Sequence, residues 1–257
     1  MAGTDYGSYL RIDELLDLQH PLTEGAHDEL LFVVIHQVYE LWFKVILHEL
    51  DLAIVELGAG RPQAAIAPLH RTVRIDELLI AQLGVLETLT PDGFLEFRDP
   101  LAPASGLQSG QFRAIEVIGG LEGAMPSDAA PLSEHDRQEL RRRAALPTLY
   151  QAFCACLRAH GVDAPHGDDP ALRERRIVAL AALYRDHASA ERAILHHVCE
   201  LLLDHDEAIA RWRFHHAQMA AREIGARPGT GGLGVAYLQT TIQLRFFPDL
   251  WDVRSRL

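Results

Sequence analysis

The chain has 257 residues, of which 48% are hydrophobic and 23% charged, and this composition excludes a disordered protein and allows a large buried core. Its net charge of −12 with neutral histidine argues against a nucleic-acid surface and suits small-molecule partners. Three cysteines without the spacing of a disulfide framework favour a reducing compartment, and we find no uninterrupted apolar run of membrane-helix length, so we expect a cytoplasmic protein without membrane partners.

Hydrophobic periodicity predicts helices along almost the whole chain. Residues 26–58 contain no proline and are apolar nearly all round, which is typical of a helix inside a bundle. Further helical stretches follow at 62–89, at 111–118, at 134–160 with a restart at Pro147, and at 171–224 with a break near 204–207, and linkers are expected at 127–131 and 161–170. Because no strand-rich region or internal repeat is found, the sequence predicts an all-α fold, a single-domain helical bundle over residues 1–257.

One polar stripe interrupts the first long helix, where four polar residues recur every fourth position and so share one face. They are His36, Glu40, Lys44 and His48. Such a stripe can be the solvated edge of the helix, with Glu40 and Lys44 as an ordinary ion pair. Phe32 lies one turn before His36, and an aromatic ring beside a titratable imidazole is also suited to hold a planar apolar substrate. Both interpretations stay open at this point.

A histidine in the last long helix faces inward. His216 shares a helix face with the bulky apolar residues Ile209, Trp212 and Met219, because the successive spacings along this set are three, four and three residues. An inward imidazole is either a satisfied core histidine or a ligand of a metal or a haem, and the proximal ligand of a haem is commonly such a residue.

Two further features concern charged ligands. Arg98 precedes a proline-rich loop, where an arginine is either part of a surface ion pair or a clamp for a substrate carboxylate. Residues 229–234 contain four glycines, but they lack the lysine of a phosphate-binding loop and no strand precedes them. A mobile flap, or a backbone surface that contacts an anion or an ammonium group, is therefore favoured over a nucleotide site.

Seven short motifs, taken together, resemble one known protein family. They are 6–10 (YGSYL), 27–44 (HDELLFVVIHQVYELWFK), 94–98 (FLEFR), 105–113 (SGLQSGQFR), 212–216 (WRFHH), 229–232 (GTGG) and 247–251 (FPDLW). In content and order they resemble the tryptophan 2,3-dioxygenases. The resemblance implies a helical homotetramer with haem b in each subunit, an oxidoreductase that cleaves the C2–C3 bond of the indole of L-tryptophan with O2. The product would be N-formylkynurenine, in tryptophan catabolism by the kynurenine pathway.

The same resemblance implies roles for residues at the matching positions. His216 resembles the axial ligand of the haem iron. His36 resembles the distal histidine, a catalytic residue that hydrogen-bonds the indole N–H, and Phe32 the ring that packs against the indole. Arg98 resembles the clamp for the substrate carboxylate, and Phe94 lines the same pocket.

The remaining implied roles concern the rim of the pocket. Thr230 resembles the residue that contacts the amino-acid end of the substrate, and Ser105 matches a small residue near the haem. Tyr6, Tyr9 and Leu10 resemble the N-terminal segment that completes the pocket of a neighbouring subunit.

One motif departs from the family pattern. Family members usually continue Gly-Thr-Gly-Gly with two serines and a glycine, whereas Leu233-Gly234 follows here, one residue shorter and without either hydroxyl. The change lies on the loop expected to close over the substrate. It therefore affects the contacts expected for the substrate ammonium group and the selectivity for unmodified L-tryptophan. The alternatives are a haem monooxygenase of the same superfamily, which forms a 2-oxindole from a tryptophan derivative in secondary metabolism, and a non-catalytic sensor of haem or an indole compound.

Overall fold

The computed structural model describes residues 5–127, 130–167, 169–186 and 189–257. Within these ranges the chain is helical without β-strands, and the prediction of an all-α fold is confirmed. The helices are α1 (Tyr6–Leu10), α2 (Ile12–Leu16), α3 (Glu29–Gly58), α4 (Pro62–Leu86), α5 (Pro91–Leu101), α6 (Gly110–Gly119), α7 (Glu134–Ala144), α8 (Leu149–Ala159), α9 (Pro170–Arg185), α10 (Ala190–Ile224), α11 (Val235–Thr241) and α12 (Pro248–Asp252). Residues 128–129 and 168, in the two predicted linkers, lie outside the described residues. That residues 1–257 form a single domain stays a prediction.

Local sequence signals explain where several helices begin and end. α6 stops at Gly120, whose φ of 88° is left-handed and therefore favours glycine. After Pro147, Thr148 and Gln151 form a reciprocal capping box that begins α8, which is the predicted restart. Thr90 caps α5 by accepting a hydrogen bond from the backbone N–H of Gly93 at 3.0 Å.

The predicted break near residues 204–207 is wrong. α10 runs without interruption from Ala190, where the Ser189 side chain caps its first turn, through this acidic stretch. Asp206 is fully buried, and its carboxylate accepts hydrogen bonds from the backbone N–H groups of Phe246 at 2.9 Å and Phe247 at 3.2 Å. A polar cluster that resembles a helix end therefore anchors the C-terminal segment on the middle of α10.

The core is built around α4, which packs against both α3 and α10. Leu69 and Leu79 of α4 are completely buried, as are Ile46 and Leu50 of α3. Burial of such a side chain contributes about 1.5–3 kcal/mol relative to exposure, so this three-helix layer fixes the positions of α3 and α10. These two helices carry His36 and His216.

One buried polar pair crosses the layer. His205 Nδ1 of α10 lies 2.6 Å from Asp76 Oδ2 of α4, and both side chains are inaccessible to solvent. The second atoms of the pair, His205 Nε2 and Asp76 Oδ1, have no hydrogen-bond partner among the described residues. The pair therefore joins α4 to α10 in an apolar environment. There, its contribution to the stability of the fold depends on the protonation states of the imidazole and the carboxyl group.

The outer face of α3 remains apolar and exposed. Among the described helices, α3 is the one that by itself has the length and apolar composition of a membrane-spanning helix. Core helices of soluble proteins have the same properties. Five apolar side chains along one stripe of α3 are between 38% and 60% exposed. They are Leu30, Val34, Leu41, Leu52 and Val55. Exposed Lys44 and His48 interrupt this stripe between Leu41 and Leu52, and exposed apolar side chains of this kind are suited to contact with another molecule.

Candidate active site

α3 places Phe32 and His36 one turn apart on one face, with ring centroids separated by 4.1 Å. His36 Nδ1 lies 2.7 Å from the backbone carbonyl oxygen of Phe32. Because a carbonyl oxygen can only accept, Nδ1 carries the hydrogen and the neutral imidazole keeps a free electron pair on Nε2. Although part of the ring is open to the cavity, surrounding protein atoms desolvate it, and this burial lowers the pKa of His36. His36 is therefore a neutral hydrogen-bond acceptor at pH 7.

Aromatic rings from α5 complete the wall beside Phe32. Its ring centroid lies 5.8 Å from that of Phe94 and 5.5 Å from that of Phe97, and the latter two rings meet edge to face at 5.4 Å. Phe97 is fully buried, whereas Phe94 is partly open to the cavity. This cluster gives the cavity a flat apolar wall that suits a planar ring.

Arg98 lies on the same helix and contacts the glycine-rich loop. Its Nη2 donates a hydrogen bond to the carbonyl oxygen of Pro228 at 2.5 Å, and Nη1 lies 3.4 Å from the carboxylate of exposed Asp99. Its Nε is buried and has no partner among the described residues. The contact with Asp99 is long, so the guanidinium keeps donors for a ligand in the cavity.

The glycine-rich loop approaches Ser105 closely. A Cβ atom at Gly231 would lie 2.3 Å from Ser105 Oγ, so a larger residue at position 231 cannot fit without a shift. Ser105 Oγ is buried without a partner among the described residues. Within the loop, Gly229 N donates to Leu233 O at 2.7 Å, which closes a tight turn beside Thr230. The loop thus covers one side of the cavity, and the Ser105 hydroxyl beside it makes no hydrogen bond with the described residues.

α10 supplies His216, whose imidazole stacks on the indole of Trp212. Burial, with a smaller effect of His36, lowers the pKa of His216 to about 4. The ring is therefore neutral at pH 7, and its nitrogens have no hydrogen-bond partner among the described residues. A neutral, unengaged imidazole is the form that binds a metal.

One cavity brings seven of the predicted site residues together. They are Phe32, His36, Phe94, Arg98, Ser105, His216 and Thr230. The N-terminal residues Tyr6, Tyr9 and Leu10 do not reach it and are 77%, 75% and 42% exposed. This exposure leaves their predicted contact with a neighbouring subunit as a prediction.

Other residues of the cavity make contacts that the sequence-based prediction did not assign. Glu40 accepts a hydrogen bond from Gln111 Nε2 at 2.8 Å, a contact between helices in place of the ion pair with Lys44 that was one of the two alternatives for the polar stripe. The Glu116 carboxylate binds Arg113 at 2.6 Å and Arg213 at 2.8 Å. The spacing of Arg113 and Glu116 within α6 could have indicated that first pair, but no local signal connects it to Arg213.

The residues present fit a haem. Among the described residues, no three His, Cys, Asp or Glu side chains come together as a metal site. A single neutral imidazole instead suits an iron whose remaining ligands come from a porphyrin. Three arginines and three glutamates line the cavity, a formal charge of 3 − 3 = 0, and the guanidinium groups are donors for the carboxylates of a cofactor. The unpartnered Ser105 hydroxyl is a further polar group for a ligand.

Comparisons with known proteins cover the whole length of the chain. The sequence model of the tryptophan 2,3-dioxygenase family matches residues 1–127 and 160–257. A protein of Herpetosiphon aurantiacus named tryptophan 2,3-dioxygenase is 44% identical over 98% of both chains. Proteins with the same name from Nocardioides sp. and Anaeromyxobacter dehalogenans are 41% and 40% identical over 100% of this chain and over 96% and 97% of their own.

Proposed function

This chain belongs to the tryptophan 2,3-dioxygenase family, and from that premise we propose that the cavity between His36 and His216 is its active site. The enzyme uses haem to cleave the C2–C3 bond of the indole of L-tryptophan with O2, and the product is N-formylkynurenine. The alternative of a 2-oxindole-forming monooxygenase is not favoured, because the relatives described above are named as dioxygenases.

His216 would hold the haem through its iron, because burial keeps the imidazole neutral and the ring lines the cavity. The bound haem supplies the iron centre at which O2 is activated. The imidazole has no carboxylate partner among the described residues, and we propose that it binds as a neutral ligand. Ser105 lies at the same cavity and provides a free hydroxyl for the cofactor.

His36 would orient the indole ring. Its Nδ1 is bound to the Phe32 carbonyl, so Nε2 is left to accept the indole N–H. Phe32 and Phe94 would pack against the faces and edges of the ring. Holding the ring in one pose places its reacting carbons at a fixed position, which is how proximity contributes to rate.

Arg98 and Thr230 would bind the amino-acid end of the substrate. A guanidinium can donate two parallel hydrogen bonds to a carboxylate, and Arg98 lines the cavity with a buried Nε that has no partner among the described residues. The Thr230 hydroxyl lies on the loop that Arg98 contacts through Pro228. Closure of this loop would exclude water from the bound substrate.

The observation that carries this proposal is that His36 and His216, from α3 and α10, line one cavity with Arg98. The test uses reduced, haem-loaded protein with L-tryptophan and 18O-labelled O2. We expect the absorbance of N-formylkynurenine to grow and both labelled atoms to enter the product, and we expect His216→Ala to lose the haem spectrum. Turnover that incorporates one atom, or an unchanged spectrum in the His216→Ala variant, would overturn the proposal.

We further propose a homotetramer in which Tyr6, Tyr9 and Leu10 reach a neighbouring subunit. The exposed apolar stripe of α3, defined above, and the exposed aromatic rings of α1 support this assembly. Light scattering of the holoenzyme would measure the mass, and Leu41→Glu should shift it toward a smaller species. The net charge of −12 argues against a nucleic-acid partner, and three cysteines without the spacing of a disulfide framework favour a reducing compartment. We therefore propose a cytoplasmic enzyme without nucleic-acid or membrane partners, which cell fractionation would check.

A further inference from the structure

Trp212 lies one helical turn before His216, and its indole is nearly parallel to the imidazole. The two rings are inclined by 7° and their centroids are 5.1 Å apart. The spacing of four residues brings both side chains to the same face of α10, but it does not by itself make the rings parallel. Phe112 packs on the indole at 5.1 Å and Tyr39 meets it edge to face at 6.1 Å, so the indole is enclosed by rings from α3 and α6.

A chain of hydrogen bonds connects the indole to two further helices. Trp212 Nε1 donates to the hydroxyl of Tyr39 at 3.4 Å, and this hydroxyl donates to the carbonyl oxygen of Leu79 at 2.8 Å. Burial raises the pKa of Tyr39 to about 12, so the hydroxyl keeps its proton at neutral pH. The orientation of the indole is therefore defined relative to α3 and α4 as well as α10.

The imidazole of His216 lacks the usual kind of support. A histidine that binds a metal commonly donates its other ring N–H to a carboxylate or a carbonyl oxygen, which fixes the direction of the ring. Across the parts of the chain that the structure describes, neither nitrogen of His216 has such a partner. The ring contact that the structure shows for this imidazole is the parallel, offset stack on Trp212.

We propose that Trp212, held by Tyr39, is a positioning residue that fixes the plane of the His216 imidazole relative to the haem. The inference rests on the proposed function, in which His216 is the axial ligand. Stacking takes the place of a hydrogen bond as the contact that orients the ligand, and it does so without adding negative charge to the imidazole. Loss of the indole lets the ring rotate about its bond to Cβ and weakens the hold on the haem.

The test compares four holoenzyme variants with the wild type. Trp212→Leu removes the stacked face, Trp212→Phe keeps an aromatic face without the N–H, and Tyr39→Phe removes the acceptor of the indole. Trp42→Phe is the matched control, because Trp42 also packs on the core but does not line the cavity. The measurements are the iron–histidine stretching band of the ferrous protein by resonance Raman spectroscopy and the rate of haem transfer to apomyoglobin.

In Trp212→Leu we expect a shifted or broadened iron–histidine band and haem loss that is faster by about two- to tenfold, the range for loss of one aromatic pair. Trp212→Phe should restore most of the haem retention, and Tyr39→Phe should broaden the band slightly. Trp42→Phe should match the wild type in both measurements. A wild-type band and a wild-type transfer rate in Trp212→Leu would overturn the inference.

The outcomes separate this inference from the proposed function. If the wild-type holoenzyme has no iron–histidine band, or keeps that band after His216→Ala, the assignment of the axial ligand is wrong. If the wild type has the band and His216→Ala removes it, the axial ligand is correctly assigned. A wild-type band and transfer rate in Trp212→Leu then reject only the positioning role of Trp212. Should circular dichroism show that Trp212→Leu does not fold, the same two measurements are made on Trp212→Met, which also removes the aromatic face, and wild-type values in that variant reject the inference.

Discussion

His36 Nδ1 lies 2.7 Å from the Phe32 carbonyl oxygen, and this contact leaves Nε2 as the free acceptor of the ring, which we propose binds the indole N–H. We expect His36→Ala to lower kcat/KM for L-tryptophan by about two- to tenfold, the equivalent of one neutral hydrogen bond of about 0.5–1.5 kcal/mol. 1-Methyl-L-tryptophan has no indole N–H, so the variant should lose less activity with it. Steady-state rates with both substrates give the comparison, and an unchanged preference between them would contradict this role.

The charge state of His36 predicts the pH dependence of turnover. Burial lowers the pKa of His36 below the ordinary value of 6.5, although the Phe32 carbonyl and the charge of Glu40 act in the opposite direction. Protonation removes the acceptor, so activity should be retained at pH 6.5 and lost only at lower pH. Glu40→Gln removes a charge that raises the pKa and should move the acid limb of the kcat/KM profile further down. An acid limb above pH 6.5, or one that Glu40→Gln leaves in place, would argue against His36 as the titrating group.

If Arg98 binds the substrate carboxylate, its replacement should lower the affinity for ligands that carry a carboxylate and leave the affinity for other ligands unchanged. Arg98→Leu should weaken the binding of L-tryptophan by about 2–5 kcal/mol, the range for truncating one member of a buried charge pair. Arg98→Lys should recover little, because an ammonium cannot replace the two-point contact of a guanidinium. Tryptamine has no carboxylate and serves as the control ligand in a titration of the haem spectrum. If Arg98→Leu weakens tryptamine as much as L-tryptophan, the residue acts on the structure of the pocket and does not clamp the carboxylate.

The helices of the site could be predicted from the sequence because their signals are local. Apolar periodicity places α3 and marks residues 171–224 as helical, although it misses the boundary between α9 and α10. The apolar residues that share a face with His216 indicate the inward direction of that side chain. Sequence alone could not decide between the alternatives for the stripe that includes Glu40, since its partner Gln111 comes from another helix. The contact of Arg213 with Glu116 could not be predicted either, because it joins residues that are far apart in the sequence, on α10 and α6. The prediction of a break at residues 204–207 was wrong because polar residues at a helix end and a buried polar residue that binds another segment give the same pattern in one sequence.

The close approach of Gly231 to Ser105 predicts a steric effect on the loop. Gly231→Ala would place a methyl group 2.3 Å from Ser105 Oγ and 2.7 Å from its Cβ. Overpacking of this kind costs about 1–3 kcal/mol, and an exposed loop relieves it by moving outward. We expect KM for L-tryptophan to rise while the melting temperature changes little. Gly106→Ala is the control, since a Cβ there meets no atom, and Gly231→Ala combined with Ser105→Gly should restore part of the affinity. A KM in Gly231→Ala that equals the wild-type value would show that the loop does not contact the substrate.

The buried pair of His205 and Asp76 predicts how stability varies with pH. Burial by itself would lower the pKa of His205, but the charge and hydrogen bond of Asp76 outweigh it and raise that pKa, while the nearby charges of Asp206 and Arg213 act in opposite directions. Burial also raises the pKa of Asp76, against the effect of His205. Both shifts mean that the folded state holds its proton more tightly than the unfolded state. The contribution of His205 is therefore fully present below pH 6.5 and is lost as pH rises through its raised folded pKa.

Denaturant unfolding at about pH 6 and about pH 9 measures this linkage. The free energy of unfolding should fall toward the higher pH, and the fall should be smaller in the double variant His205→Leu with Asp76→Leu. Asp76→Leu alone should destabilise by about 3–5 kcal/mol, because it leaves an imidazole buried without its partner. The double variant should lose less than the sum of the two single variants, since neither polar group then remains in the apolar layer. Additive losses would show that the two side chains are not coupled, and the same pH dependence in the double variant as in the wild type would show that the linkage comes from other groups.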